Sequence, residues 1–274
     1  MWICPACQQP LMPKQGGWFC ASNHHFDKAK EGYVNLQLAQ ERKSKSPGDS
    51  KEMIQARRTF LQAGHYDPLV SHLANTIAEH AQQQNLTIFD AGCGEGYYLG
   101  GVATMLNGKY DAAEFYGCDI SKPAIQRAAK TYKYANFSVA STYKIPLPDN
   151  SVDVVIQVFA PSSEEDIARI LKPNGLWICV NPASQHLAQL KAQIYDEWQA
   201  HDIEPHEYAQ FESFLRQPLA FTMNITEPLE REALLKMTPF YWQASEQHKQ
   251  QFSNATFAID ADFDVHVMRK KGDQ

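Results

Sequence analysis

A glycine-rich turn directly after a short apolar segment is the feature that most limits what this chain can fold into. The turn reads Asp90-Ala91-Gly92-Cys93-Gly94-Glu95-Gly96-Tyr97, and residues 86–90 before it are apolar enough for a buried strand. Its glycines let the backbone turn tightly and approach a ligand, to which the following helix presents unpaired N–H groups. The spacing differs from the dinucleotide-binding pattern, because Tyr97 stands where that pattern requires a third glycine. The motif predicts a nucleotide site, the alternative being a tight turn in an unrelated α/β domain.

Strand-like and helix-like segments alternate along the chain from residue 86 onward. Such alternation predicts an α/β fold, a doubly wound and mostly parallel sheet with helices on both faces. The predicted strands are residues 86–90, 114–119, 137–140, 152–159 and 176–180, and the predicted helices are residues 51–62, 97–106, 164–171 and 186–198. Two more helices are predicted to begin with Asp67 as an N-cap before Pro68, and with Ser121. The tail, residues 256–269, alternates apolar and polar side chains and predicts a closing strand or hairpin.

Cysteine spacing at the N-terminus predicts a metal site. Cys4 and Cys7 form a C-x2-C pair, and Cys20 and His24 follow as C-x3-H at a separation typical of zinc sites. Two such pairs complete a tetrahedron around one ion, and four protein ligands leave no open position, so the zinc would be structural. His25 stands beside His24 and remains an alternative fourth ligand. The alternative to a site is four unrelated polar residues in a loose N-terminus.

Composition excludes several classes of protein. Hydrophobic residues make up 44% and charged residues 20% of the 274 residues, which suffices for a globular core and excludes a disordered chain. The net charge of −6 excludes a wholly basic nucleic-acid-binding coat but not a local basic patch. Apolar runs such as residues 152–160 are too short to cross a membrane, and the N-terminus does not resemble a secretory signal. We therefore expect a soluble, cytoplasmic protein with no membrane partner.

The glycine turn, written D-x-G-x-G-x-G, resembles motif I of the class I S-adenosylmethionine-dependent methyltransferases. Asp119 ends the second predicted strand, where an acidic side chain of that family accepts the ribose hydroxyls, and Ala140-Ser141 stands where the family borders the adenine. Residues 145–153 are similar to the segment that leads into its fourth strand. The resemblance implies a Rossmann-like fold and S-adenosylmethionine as cofactor. The binding residues that it implies are Asp90, Gly92, Gly94, Gly96 and Asp119.

A longer series of motifs resembles the RlmA-type 23S ribosomal RNA (guanine-N1)-methyltransferases over nearly the whole chain. After the cysteine and histidine pairs come Lys30-Glu31-Gly32-Tyr33-Val34-Asn35-Leu36, Pro47-Gly48-Asp49-Ser50, Gln55-Ala56-Arg57-Arg58, Ala63-Gly64-His65-Tyr66, the glycine turn and Leu235-Lys236-Met237-Thr238-Pro239-Phe240. This resemblance implies methylation of N1 of one guanine in a 23S rRNA hairpin loop, and a homodimer. It further implies cofactor contacts at Tyr66, Gly94, Glu95 and His186.

Three regions are predicted along the chain. Residues 1–36 form a zinc-binding module for RNA recognition, residues 37–65 a basic linker and helix, and residues 66–274 the methyltransferase domain with a cap or insertion near 200–225. Eight Lys or Arg residues stand against five Asp or Glu residues between positions 27 and 58, a stripe that suits phosphates, although a solvated linker would look the same. The side chains predicted to hold RNA are Lys28, Lys30, Arg42, Lys43 and Lys45. A module of this kind equally suits protein interaction or dimerisation.

Guanine N1 carries a weakly acidic proton, so a base or an acceptor near the methyl group would assist transfer. Segment 159–165, after the fourth predicted strand, is where that group is expected. Its titratable residues are Glu164 and Glu165. Both could instead be ordinary residues of the first turn of a helix, where the helix dipole favours acidic side chains. The sequence therefore identifies no catalytic residue. A splayed base stacks on aromatic side chains, and the candidates, each otherwise a core residue, are Tyr33, Phe159, Phe240, Tyr241 and Trp242.

The residues leave two other functions open. One is a methyltransferase that acts on a small metabolite and carries a purely structural zinc module; it would not bind RNA at low salt. The other is a binding protein that kept the fold without catalysis. The intact set of Asp90, the three glycines of the turn and Asp119 argues against the second of these functions.

Overall fold

The computed structural model describes residues 1–14, 16–41, 48, 50–195 and 208–272, which form a three-stranded sheet, an eight-stranded sheet and helices. The strands are β1 (Met12–Lys14), β2 (Gly17–Phe19), β3 (His25–Asp27), β4 (Val34–Asn35), β5 (Asn85–Ala91), β6 (Ala112–Asp119), β7 (Asn136–Val139), β8 (Val152–Val158), β9 (Leu171–Pro182), β10 (Phe211–Met223) and β11 (Ile259–Lys270). The α-helices are α1 (Lys51–Gln62), α2 (Asp67–His80), α3 (Tyr97–Leu106), α4 (Lys122–Thr131), α5 (Glu164–Ile170), α6 (Ala188–Ile194), α7 (Pro228–Lys236) and α8 (Glu246–Ser253). Short 3₁₀ helices cover Ala39–Glu41 and Pro239–Trp242.

The strands of the large sheet run in the order β10-β11-β9-β8-β5-β6-β7-β4. Neighbours from β9 to β4 pair in parallel, whereas β11 runs antiparallel to both β9 and β10. All residues of β8 are buried, as expected for a central parallel strand covered on both faces. These pairings confirm the predicted doubly wound, mostly parallel α/β fold.

The chain reverses its direction of progress across the sheet at β5. From β5 it continues to β6 and β7 on one side, and it returns to β8 and β9 on the other. In open α/β sheets, ligands bind at such a switch point, outside the carboxyl ends of the strands. The turn after β5, the end of β6 and the loop after β8 therefore meet at the expected binding edge.

Two apolar layers, one on each face of the large sheet, form the core. One layer contains Leu73 of α2 and Ile88 of β5, and the other contains Phe89 of β5 together with Trp2 and Trp177. Ile88 and Phe89 enter different layers because successive side chains of a strand point to opposite faces. None of the described helices is both long and apolar enough to cross a membrane.

The N-terminal module, which we define as residues 1–36, contacts the large sheet at two places. Near its start, the Met1 amino group donates a hydrogen bond to Tyr116 Oη (3.0 Å), and the Trp2 ring meets the Tyr116 ring edge-on. The Ile3 N–H also donates to the carbonyl oxygen of Pro146 (3.0 Å). At its end, β4 pairs in parallel with β7 and so belongs to the large sheet.

Helices α1 and α3 begin and end at the predicted residues. Ser50 caps α1, because its side-chain oxygen accepts a hydrogen bond from the Met53 N–H (3.2 Å). The prediction that Asp67 caps α2 is wrong by one position, since Tyr66 is the N-cap and Asp67 is the first helical residue. The C-terminal tail forms one strand, β11, which pairs with β9 and β10 and does not fold into a hairpin of its own.

The predicted cap or insertion near 200–225 falls in part on described residues. Residues 211–223 form β10, an edge strand of the large sheet and not a cap. Pro218 is tolerated there because an edge strand has one side without a pairing partner. Positions 196–207, which include the rest of the predicted cap and the end of the predicted helix 186–198, lie outside the described residues.

Candidate functional site

The three glycines shape the turn between β5 and α3. Gly92, Gly94 and Gly96 have φ angles of +82°, +54° and +84°, a region that side chains rarely adopt. A Cβ atom on Gly92 would overlap the side chain of Ala160, whereas a Cβ atom on Gly94 would meet no atom within 4 Å. The turn therefore packs closely against the loop after β8 and leaves open space beside Gly94.

A pocket of about 340 Å³ occupies this space at the carboxyl ends of β5, β6 and β8. Five of the predicted cofactor residues line it, namely Tyr66, Gly92, Gly94, Glu95 and Asp119. The other three predicted residues, Asp90, Gly96 and His186, are not among its lining residues. The pocket thus brings together residues that lie far apart in the sequence, but three of the predicted cofactor residues do not line it.

Asp119 is fixed at the pocket by the backbone. Its Oδ2 atom accepts a hydrogen bond from the Gly94 N–H (3.0 Å), and its Oδ1 atom accepts one from the Ser121 N–H (2.7 Å). The N–H groups of Gly92 and Cys93 both donate to the carbonyl oxygen of Cys118 (2.9 Å each). The end of β6 and the glycine turn are therefore held together, with an acidic side chain at their junction.

Asp90 is a buried carboxyl group with an unsatisfied atom. It is 1% exposed, and its Oδ2 atom has no hydrogen-bond partner among the described residues. Burial, and then the neighbouring charge of Asp119, raises the pKa of Asp90 to about 8. Because an orphaned polar atom in a core is costly, its position beneath the glycine turn indicates a partner that the protein part of the site does not supply.

Two arginines of α1 belong to the site, and the sequence analysis gave neither of them a role. Arg57 lines the pocket, and Arg58 Nη1 lies 3.2 Å from Glu95 Oε2. Burial raises the pKa of Glu95, and the charge of Arg58 opposes that rise. The Gln55-Ala56-Arg57-Arg58 motif was the available signal, but the ion pair depends on how α1 crosses the glycine turn, which sequence spacing does not reveal.

His186 belongs to an aromatic cluster behind the pocket wall. Its Nδ1 atom accepts a hydrogen bond from the Asp262 N–H (3.2 Å), so Nε2 carries the proton and faces Tyr66 Oη at 3.5 Å. Burial, and then the charge of Lys191, lowers the pKa of His186 to about 3. A neutral His186 therefore supports Tyr66, and its ring also lies 5.9 Å from the ring of Phe159.

The loop after β8 is held in a strained conformation. Phe159 has a φ angle of +56° and is 42% exposed at the pocket. Gln157 supports the loop, because its side chain donates to the carbonyl oxygen of Ala160 and accepts from Ser162 Oγ (2.8 Å). A strained backbone conformation persists only where the surrounding structure holds it, and such residues cluster at binding sites. The strain therefore indicates a functional role for the position of the Phe159 ring.

The two carboxylates predicted as possible bases do not line the pocket. Glu164 accepts a hydrogen bond from the Gln210 N–H (2.9 Å), and Glu165 accepts one from Ser163 Oγ (2.6 Å). Both stand in the first turn of α5, for which Ser163 is the N-cap. The structure therefore favours the helix-turn interpretation of these two residues.

The predicted metal ligands lie together. The ligand atoms of Cys4, Cys7, Cys20 and His24 all lie within 4.8 Å of one another. His24 Nδ1 is 3.5 Å from Cys4 Sγ and 3.4 Å from Cys20 Sγ. His25 lies apart from this cluster, since it stacks on Phe19 and pairs with Asp27. Three thiol groups and one imidazole at these separations fit a tetrahedral zinc ion, and the geometry favours His24 over His25.

The predicted RNA-binding side chains are described only in part. Lys28 and Lys30 are exposed on the N-terminal module, whereas Arg42, Lys43 and Lys45 lie outside the described residues. Of the candidate stacking residues, Tyr33 is buried and Trp242 is 66% exposed but lies away from the pocket. Phe159 is thus the one predicted aromatic candidate among the residues that line it.

The order of the strands, the glycine turn and the acidic end of β6 define a class I S-adenosylmethionine-dependent methyltransferase. A methyltransferase-domain family model matches residues 82–233, and the zinc-ribbon family model described as "RlmA, N-terminal" matches residues 2–45. The chain belongs to the RlmA-type 23S rRNA (guanine-N1)-methyltransferases.

Three relatives bear names of this family. A Micromonospora griseorubida protein named as a 23S rRNA (guanine-N1)-methyltransferase is 35% identical over 68% of this chain and 67% of its own length. The 23S rRNA (guanine(748)-N1)-methyltransferase of Streptomyces fradiae is 37% identical over 68% of this chain and 65% of its own length. The Bacillus subtilis protein YxjB, which bears the same family name, is 29% identical over 96% of this chain and 95% of its own.

Proposed function

We propose that this protein transfers a methyl group from S-adenosylmethionine to N1 of one guanine in a hairpin loop of 23S rRNA. The observation that carries the proposal is the pocket at the switch point of the sheet, where the Gly94 N–H fixes the carboxylate of Asp119. The names of the relatives from Micromonospora griseorubida and Streptomyces fradiae support N1 of guanine as the acceptor. An rRNA substrate would place the enzyme in the cytoplasm.

We assign the cofactor site to the eight residues that the sequence predicts. S-adenosylmethionine, when bound, supplies a methyl group on a positively charged sulfur, which is activated for displacement. The orphaned Oδ2 atom of Asp90 and the open space beside Gly94 support this assignment. In the proposal Tyr66 and Asp119 contact the cofactor, and His186 acts as a positioning residue behind Tyr66.

Phe159 is proposed as the platform for the target guanine. Its ring is partly exposed at the pocket, in contact with the rings of His186 and Phe263 at centroid distances of 5.9 and 5.6 Å. A base must leave its stack to reach an enzyme pocket, and stacking on an aromatic ring compensates for the contacts that it loses. The support from Gln157 keeps the ring fixed, which aligns N1 with the methyl group.

We propose that the residues of this chain promote the reaction mainly by aligning guanine N1 with the methyl group of the cofactor. Glu95 and Asp119 are the carboxylates among the described lining residues, and they already bind Arg58 and two backbone N–H groups, respectively. Neither is positioned as an unengaged base for the N1 proton, so in the proposal this proton passes to solvent water as the N1–methyl bond forms, the sulfur–methyl bond breaks and S-adenosylhomocysteine leaves. Positioning and exclusion of water alone account for large rate enhancements in bimolecular transfers.

We propose that Cys4, Cys7, Cys20 and His24 hold a structural zinc ion in a module that spans residues 1–36. The ligand count leaves no position for a substrate, so the ion would act on folding and not on chemistry. Residues 37–65 would then connect this module to the methyltransferase domain, residues 66–274. A homodimer is part of the proposal on the strength of the family resemblance.

The decisive experiment is transfer of labelled methyl from S-adenosylmethionine to unmodified 23S rRNA, followed by nuclease digestion and mass analysis. We expect one 1-methylguanosine in one hairpin loop. Label on another base or position would contradict the proposed acceptor atom. Detectable cofactor binding without any RNA labelling would favour the alternative, a methyltransferase of a small metabolite.

A further inference from the structure

A basic groove lies outside both the pocket and the metal cluster. It has a volume of about 660 Å³ and lies between residues 30–31, the start of α1 and helix α4. Among the eight described residues that line it, one is acidic, Glu31, and five are basic, namely Lys30, Lys51, Arg127, Lys130 and Lys133. We propose that this groove binds backbone phosphates of the RNA whose guanine enters the pocket, an inference that rests on the proposed function.

Glu31, the acidic residue among the described lining of the groove, joins the N-terminal module to the α4 side of the groove. Glu31 Oε1 accepts a hydrogen bond from Gln126 Nε2 (2.9 Å), and the Glu31 carbonyl oxygen accepts one from Lys133 Nζ (2.9 Å). The side chain of Glu31 is 11% exposed, which limits its contact with a ligand. The groove therefore presents positively charged side chains to solvent, whereas Glu31 holds residues 30–31 against the α4 side of the groove.

Among the described residues, most of the lysines of the groove have no close acidic partner. Lys30 is 89% exposed and has a single distant ion pair, 3.9 Å from Glu31. Lys51 and Lys130 are exposed and form no ion pair with any described residue. The Nη1 atom of Arg127 is buried but has no hydrogen-bond partner in the described part of the chain. Since the whole chain carries a net charge of −6, this excess of cations is local.

The groove adjoins the pocket. Asp119 lines the pocket, Ser121 is the N-cap of α4, and Pro123 lines the groove two residues later. Gly48, which lies against Ser121, also lines the pocket, and Lys51 lines the groove. An RNA strand whose phosphates lie in the groove would therefore bring the next nucleotides to the mouth of the pocket.

The chemistry of the groove favours RNA over an acidic protein partner. Apart from Pro123 its lining carries charged or amide side chains, whereas the core of a protein interface is depleted of charge and rich in aromatic residues. Lysine and arginine contacts to phosphates supply much of the affinity of nucleic-acid-binding proteins and make it depend on salt. The groove thus predicts a measurable salt signature.

The test compares two triple variants of equal charge change. In the groove variant, Lys30, Lys51 and Lys130 are each replaced by Gln. In the control variant the same substitution is made at three lysines outside the groove, Lys109, Lys249 and Lys271. Binding to an unmodified 23S rRNA transcript is measured from 50 to 300 mM salt, together with S-adenosylmethionine affinity and the KM and kcat of methyl transfer.

We expect the slope of log K against log salt to fall by about 2 in the groove variant, because each single-stranded phosphate contact contributes about 0.7. At 150 mM salt this corresponds to a loss of RNA affinity on the order of 50-fold, and the KM for RNA should rise while cofactor affinity stays unchanged. The control variant should change the slope of log K against log salt by less than half as much as the groove variant does.

Equal losses in the two variants would overturn the groove as an RNA site, since a general charge effect would then explain them. A groove variant with wild-type slope and KM, measured while the wild-type protein methylates 23S rRNA, would overturn the inference and leave the proposed function standing. A wild-type protein that neither binds nor methylates the transcript would overturn both.

Discussion

The N-terminal module and the large sheet are stabilised by different means. Strands β1 to β3 contain three residues each and most of their side chains are exposed or half-buried, whereas β5 and β8 are almost entirely buried. A region of 36 residues rarely buries enough apolar surface to fold alone and usually needs a metal or disulfides. The module therefore depends on one cluster of ligands and on its contacts with the sheet, while the sheet distributes its stability over two apolar layers.

The sharpest way to separate the two regions is to remove the metal. His24→Gln, or Cys7→Ser, should eliminate bound zinc, because only three of the four ligands would remain. The module should then unfold, since a structural zinc ion contributes on the order of 10 kcal/mol to the folding of such modules. RNA binding should fall more than cofactor binding. Zinc content by atomic emission and S-adenosylmethionine affinity by calorimetry measure the two effects. His25→Gln is the matched control and should retain one zinc; loss of zinc in the control alone would reverse the assignment of the fourth ligand.

A substitution in the glycine turn should have the opposite effect, namely loss of cofactor binding with zinc retained. Gly94→Val should weaken cofactor binding by about 100-fold or more, because a side chain at φ +54° is strained by up to about 3 kcal/mol and would project into the pocket. Zinc content should stay at one ion per chain. Gly108→Val is the control, since Gly108 has a φ angle of +77° and open space around it but does not line the pocket. Equal loss of cofactor binding in both variants would mean that backbone strain alone explains it.

Asp90 provides a pH-dependent test of the sheet. Its folded-state pKa of about 8 exceeds the ordinary value, so the folded state holds a proton that the unfolded state releases above pH 4. Stability conferred by this group is therefore lost as pH rises from about 4 to 8, and Asp90→Asn should remove that loss. We expect the free energy of unfolding of the variant to exceed that of wild type by about 5 kcal/mol at pH 8, but by only about 2 kcal/mol at pH 5.

Urea unfolding at the two pH values measures this difference. Asp153→Asn is the control, because the Asp153 carboxylate pairs with Lys172 and accepts a hydrogen bond from the Thr87 N–H. It should destabilise the sheet at both pH values. A destabilised Asp90→Asn at pH 8 would show that the carboxylate has a partner in the folded protein.

The smallest expected effect lies at the contact between the two regions. Tyr116→Phe removes the hydroxyl that bonds the Met1 amino group and Glu114 Oε2 (2.9 Å) but keeps the ring against Trp2. We expect a loss of about 1 kcal/mol, the usual contribution of such hydrogen bonds. Hydrogen exchange of residues 1–14 should increase while that of β5 and β8 stays unchanged. Faster exchange throughout the sheet would mean that the two regions unfold as one.

Local signals predicted the regular elements well. Ser50 and Gly64 bracket α1, and the apolar period of α3 follows the glycine turn, so both helices were correct at each end. The edge strand β10 was predicted as part of a cap because residues 202–223 fit the alternation of strands and helices poorly. Edge position is a property of the whole sheet, and no single segment encodes it.

The candidate site was predictable where it depends on backbone chemistry. The glycine turn and Asp119 follow from strand ends and steric demands, and the cluster of Cys4, Cys7 and Cys20 with a histidine follows from the spacing, which left His24 and His25 open. Contacts between distant elements did not follow from the sequence, such as Arg58 with Glu95 or the groove between Lys30 and α4. These contacts depend on the angle at which helices cross the sheet, and that angle is set by packing.

The pairing of β4 with β7 has a consequence for the order in which the protein forms during synthesis. Val34 pairs with Ser138, about a hundred residues later, and closing so long a loop is entropically costly and slow. The cysteine and histidine pairs, in contrast, lie within the first 24 residues. A nascent chain can thus capture zinc as soon as this segment leaves the ribosome, long before the sheet offers it an edge. The N-terminal module, although synthesised before the strands of the large sheet that it contacts, would therefore dock onto that sheet late in folding.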